Sequence, residues 1–133
     1  MSQARGWTTG NAREDANPFR GWLLGHFVPE GLRHSDAVEV KWGTYAAGFG
    51  ESDWTACQTG TSLVVLASGR HEIELPQQVV ILEQPGDYLI WGPGVPHRWR
   101  ALEDCVVMTV RWPSIPGDTM DVPAAEIERM RTD

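Results

Sequence analysis

Four histidines, two cysteines and two tyrosines are the side chains of this 133-residue chain best suited to moving protons or holding metal. His26, His34, His71 and His97 never fall into an HxH or HExxH pair, and no Walker loop, nucleophile elbow or zinc-finger spacing occurs. Chemistry therefore has to come from residues that the fold brings together. Imidazole titrates near neutrality and offers two nitrogens, so a histidine in a pocket suits general acid/base work or metal ligation. His97 stands out by its setting, because it follows the rigid Gly92-Pro93-Gly94 corner and opens the run His97–Ala101. The plainer reading is a histidine bonded into its own turn. Trp99 shares the parity of His97 and should face the same cavity, with Trp54 as a second wall. Aromatic walls suit a flat or hydrophobic small molecule. Trp42, Trp91 and Trp112 read as core or rim, and Arg98 and Arg100 have the outward parity.

The elements that must position these residues are short. Gly21–Val28 has strand composition and ends at Pro29. Asp36–Ala47 alternates, with Val38, Val40, Trp42 and Thr44 on one parity and Glu39, Lys41 and Tyr45 on the other. Glu39 and Lys41 read most simply as a solvated face with Tyr45 at its edge; turned inward, they would add a phenol and an ion pair to the pocket. Thr61–Ala67, Ser68-Gly69 and Arg70–Leu75 read as a hairpin. Strands follow at 79–83, 87–91, 97–101 and 105–112; the proline-bearing stretch Pro113–Pro123 reads as a loop, and Ala124–Arg131 as the one credible helix. About eight or nine short strands with a terminal helix imply a sandwich or jelly-roll barrel. The organisation expected is a flexible arm over residues 1–18, a barrel over 19–113, and a loop with a short helix over 114–133.

Composition narrows the function classes. A length of 133 fits one domain, and the 14 glycines, 9 prolines and 7 tryptophans suit turns and cavity walls better than a helix bundle. With 11 basic against 18 acidic residues, the formal charge of −7 repels phosphate backbones and anionic membranes, so neither nucleic acid nor membrane is an expected partner. No apolar run approaches a membrane span, and Met1–Asp15 lacks the pattern of a secretory signal. Two cysteines make no disulfide framework, and a cytoplasmic protein with reduced thiols is expected.

At Gly86 the chain reaches GDYLIWGPGVPH, which resembles the second motif of the cupin superfamily, G-x5-P-x-G-x2-H-x3-N. Gly86, Gly94 and His97 match; Gly92 stands at the proline position with Pro93 beside it, and Ala101 replaces the asparagine. The first motif, G-x5-H-x-H-x3,4-E-x6-G, lies over Gly50–Gly69 with the right spacing, but Ala56, Gln58 and Ser62 occupy its ligand positions. The resemblance implies an all-β, cupin-type double-stranded β-helix (a jelly-roll barrel) with a short C-terminal helix. It also implies a homodimer formed through edge strands, for which Gly21–Val28 is the candidate.

Cupins typically hold Fe, Mn, Ni or Zn with three histidines and a glutamate, and only the His97 position is kept here. Cys57, Gln58 and His97, with His71 or Glu51, would form at best a weak mixed metal site, and Cys57 and Gln58 read more plainly as a small buried hydrophobe and a loop amide. The cofactor expectation is therefore none, or else one divalent metal. Metal-free cupin-fold sugar epimerases, in which a histidine takes a proton and a tyrosine returns one, resemble this arrangement and point to His97 with Tyr45 as the catalytic pair; Trp99, Trp54 and Gln58 are the residues expected around a small organic ligand. The function implied is an isomerase, cyclase or lyase working by proton transfer, or an oxygenase if metal binds. The rival is a binding protein that leaves its ligand unchanged.

Overall fold

A computed structural model describes residues 6–132 of the chain. Its strands are β1 Trp22–Leu24, β2 Glu39–Tyr45, β3 Thr55–Cys57, β4 Thr61–Ser68, β5 His71–Glu74, β6 Val79–Leu82, β7 Tyr88–Trp91, β8 Arg98–Ala101, β9 Cys105–Trp112 and β10 Thr119–Asp121. Two α-helices, α1 Ala12–Asp15 and α2 Ala124–Thr132, flank them, and a 3-10 turn spans Asn17–Phe19. One sheet runs β1-β2-β9-β4-β7 and the other β6-β5-β8; a β10-β3 pair extends the second through bridges from Thr55 to His97 and from Gly50 to Arg100. The inner faces meet in a core of Val64, Leu66, Ile73, Leu82, Trp91, Ala101, Cys105 and Val107. This is the all-β jelly-roll architecture expected from the short strands.

Three local readings change. Ser68-Gly69 does not close a hairpin: β4 pairs with β7 and β9, whereas β5 pairs with β6 and β8. Gly69, at φ +86°, turns the chain from one sheet into the other, and a Cβ there would overlap the Asp104 carbonyl. Pro113–Pro123 is not all loop, because Thr119–Asp121 pairs with Thr55–Cys57. Only Trp22–Leu24 of Gly21–Val28 is strand, and it pairs with β2 of the same chain at the sheet edge.

Of the N-terminal arm, residues 1–5 lie outside the described residues. Asn11 caps α1 by accepting from the Arg13 N–H at 3.0 Å, and Ala16 is fully buried. At the other end of the chain, α2 buries Ile127 and anchors to the second sheet. Its Arg131 donates to the Pro76 carbonyl at 2.9 Å and reaches Glu74 at 3.0 Å. No described helix is long and apolar enough to cross a membrane.

Candidate functional site

Between the sheets lies a cavity of about 410 Å³, and the alternation of strands decides what lines it. From β2 come Lys41 and Tyr45, from β9 Val107, Thr109 and Arg111, from β8 Trp99, and from β5 His71 and Ile73. His97, Thr55, Glu51, Trp22 and Arg20 complete the part that carries chemistry. The inward parity of β2 is therefore the charged one, and the reading of Glu39 and Lys41 as a solvated face is corrected. Glu39 is only 2% exposed because Arg111 and Ser114 meet its carboxylate.

His97 is buried and its ring lies 4.6 Å from that of Trp91. Nδ1 is 3.1 Å from the Val95 carbonyl. A carbonyl only accepts, so Nδ1 carries the hydrogen and, in the neutral ring, Nε2 keeps its lone pair. Among the described residues Nε2 has no hydrogen-bond partner. Burial holds the imidazole below its ordinary value; the Val95 bond opposes this and the Arg111 charge adds to it. The result is a neutral base with its basic nitrogen left free.

Tyr45 packs between Trp99 at 4.4 Å and Phe49 at 5.7 Å. Its phenol is pushed up to about 12, chiefly by burial and then by the charges of Glu51 and Cys105, so it stays protonated. Gly43 makes room for it, since a Cβ on that inward-facing residue would overlap the Tyr45 ring. Gly43→Ala is therefore expected to displace the phenol and destabilise the fold by about 1–3 kcal/mol, as overpacking does. Urea unfolding of the variant, beside its near-ultraviolet dichroism, checks this; an unchanged midpoint with an unchanged aromatic signal would contradict it.

Behind the cavity runs a polar chain that fixes Arg111. Its Nε donates to Ser62 Oγ at 3.2 Å and its Nη1 to Glu39 at 3.0 Å. The Ser114 hydroxyl donates to the other Glu39 oxygen at 2.7 Å, and His26 lies 2.7 Å from the same hydroxyl. His26 is thus a support for Glu39. Arg111 was missed: it shares the parity of Cys105 and Val107 on β9, but parity within one strand does not say which face points inward.

Other sequence-derived positions fall elsewhere. Trp54 does not line the cavity: it faces outward beneath α2, with the Arg98 guanidinium 4.5 Å and the Arg131 guanidinium 5.5 Å from its ring. Gln58 is exposed, its amide 3.5 Å from the Met120 sulfur, because Asp118 clamps the turn by accepting from the Thr59 and Gly60 N–H groups. Cys57 is buried with its sulfur 3.8 Å from the Thr119 hydroxyl. Trp99 and Tyr45 both line the cavity with His97.

The residues present do not suit a cupin metal centre. Ala56, Gln58 and Ser62 stand where the first motif would supply donors, and Ser62 is bonded to Arg111. Among the described residues no three His, Cys, Asp or Glu side chains gather closely enough to hold an ion, so Cys57 and His97 form no such site.

No family model matches the sequence, and no curated protein matches it. Solved structures do. A double-stranded β-helix protein from Klebsiella pneumoniae subsp. pneumoniae is similar at a TM-score of 0.58 and 20% identity, over 67% of this chain and 77% of that one. PAC13 from Streptomyces, in a structure with uridine, matches at 0.58 and 12% identity over 67% and 71% of the two chains. A cupin superfamily protein from Desulfitobacterium hafniense matches at 0.53 and 20% identity over 59% and 69%. With the facing sheets and the Gly86–His97 motif, these likenesses give the chain the cupin fold, a double-stranded β-helix closed around the His97 cavity.

Proposed function

We propose that this cupin is an enzyme of small-metabolite chemistry that moves a proton to and from an organic substrate held in the interior cavity, with His97 Nε2 as the base. The observation that carries this reading is the arrangement of His97. Its Nδ1 hydrogen is fixed on Val95, its ring is braced by Trp91, and its basic nitrogen is left unpaired in a wall of the cavity. A depressed imidazole stays unprotonated at neutral pH and is ready to accept a proton. Tyr45 stays a neutral phenol lining the same cavity and suits proton return to the intermediate. Trp99 packs against Tyr45 and His71 and helps exclude water. A cavity of about 410 Å³ fits a metabolite rather than a polymer segment. The uridine-containing structure of the similarly folded Streptomyces protein is in keeping with a small organic ligand.

The experiment is solvent-deuterium exchange. Small hydroxy acids, keto acids and sugar acids are incubated with the protein in D2O, and loss of carbon-bound proton signals is followed by NMR. Exchange that needs His97 is the expected result. Compounds that bind at the cavity yet never exchange would replace the enzyme reading with that of a binding protein.

A further inference from the structure

We infer that the cavity selects a carboxylate-bearing ligand, whose anionic group sits between Lys41 and Arg111 against the indole of Trp22. The inference rests on the proposed role of this cavity as the ligand site and names the chemistry that it would recognise.

The cations are placed by the sheet. Lys41 lies opposite Thr109 and Arg111 opposite Glu39, so the two are diagonal neighbours on one inner face of the β2–β9 pair. Both long side chains converge on one ring: Lys41 Nζ lies 5.6 Å and the Arg111 guanidinium carbon 5.3 Å from the Trp22 centroid. Phe27 stacks on the same indole at 4.5 Å. Two like charges gathered in a half-enclosed space repel each other, and an arriving anion relieves that repulsion.

The donors that would meet the anion are unspent. Lys41 makes no ion pair or hydrogen bond among the described residues, and neither does Arg111 Nη2, while the Nε and Nη1 of Arg111 are fixed by Ser62 and Glu39. An arginine locked through two of its nitrogens presents the third at a set position, which is how a preorganised anion site is built. The wider opening has the same sign. An adjoining depression shares Arg20, Lys41, Tyr45, Glu51 and Trp99 with the cavity and adds Arg13 at its rim. Glu51 is the one carboxylate lining the cavity, against Arg20, Lys41 and Arg111. In a chain of net charge −7, this cavity thus has a local excess of positive charge. With Glu39 already neutralising Arg111, the surplus matches a singly charged carboxylate better than a doubly charged phosphate.

The test is equilibrium binding, which needs no turnover. Pyruvate, benzoate, their neutral amides and inorganic phosphate are titrated into nitrogen-15-labelled protein while the tryptophan indole signals are followed. The expected result is that a carboxylate moves the Trp22 signal at concentrations where its amide does not. Lys41→Gln should weaken that binding at least about tenfold, the loss of one charge-assisted contact, with Arg129→Gln on the exposed face of α2 as an unaffected control. Amides that bind as well as acids, phosphate that binds more tightly than either carboxylate, a Lys41→Gln variant that is folded yet unaffected, or no response up to tens of millimolar would each overturn the inference. Carboxylate binding without deuterium exchange would leave it standing and remove the enzyme reading instead.

Discussion

Replacing His97 by glutamine is expected to lower deuterium exchange by about 10²- to 10⁴-fold, the usual contribution of a positioned general base, with ligand affinity changed only a few-fold. Glutamine keeps a polar side chain that can still donate to Val95 but offers no nitrogen able to take a proton, so binding and proton transfer separate in this variant. The pH profile gives a second readout. Burial, reinforced by the Arg111 charge, holds the imidazole below its ordinary value. The acid limb of the wild-type rate should therefore lie below pH 6.5 and should vanish with the histidine. A ligand anion beside Arg111 would offset part of that charge, so the limb in the ligand-bound protein should sit higher than in the free one.

The second large effect is on stability. His71 is 3% exposed, its Nδ1 is 3.6 Å from the Cys105 sulfur, and burial pushes its imidazole down to about 4. In the unfolded chain it titrates near the usual 6.5, so between those values the unfolded state binds more protons than the folded one. Stability is full above pH 6.5 and falls as the pH drops towards 4, with a total loss from this group of roughly 3 kcal/mol. Urea unfolding across that range should show the decline. His71→Phe should remove most of the slope; His97, shifted the same way, would leave a smaller remainder. A slope unchanged by His71→Phe would show that other groups carry it.

Much of the scaffold was legible because its signals are local. The strand expected over Cys105–Trp112 has the same bounds in the structure, as β9. The Gly-Pro-Gly corner before His97 delivered that residue to the cavity wall, since turn chemistry and strand parity agreed there. What was not legible depends on partners distant in sequence. Ser68-Gly69 carries the same chemistry whether it closes a hairpin or passes the chain to the opposite sheet, and only the pairing of β4 with β9 decides between them. Trp54 stands just before a strand of three residues, too short for alternation to show its direction, and the helix that covers it lies some seventy residues on. Lys41 and Arg111 look like solvent-facing charges within their own strands. Their inward aim comes from pairing in register across β2 and β9 and from Glu39, Ser62 and Ser114 arriving from three separate segments.

The most direct measurement is the protonation state of His97, read from long-range proton–nitrogen correlations of the imidazole between pH 4 and 8. The expected result is a neutral ring with hydrogen on Nδ1 and a free Nε2 at pH 7, titrating below 6.5, and shifting upward when a carboxylate binds. Hydrogen on Nε2 at pH 7, or an imidazole still charged there, would mean that no free base faces the cavity and would contradict proton transfer at His97.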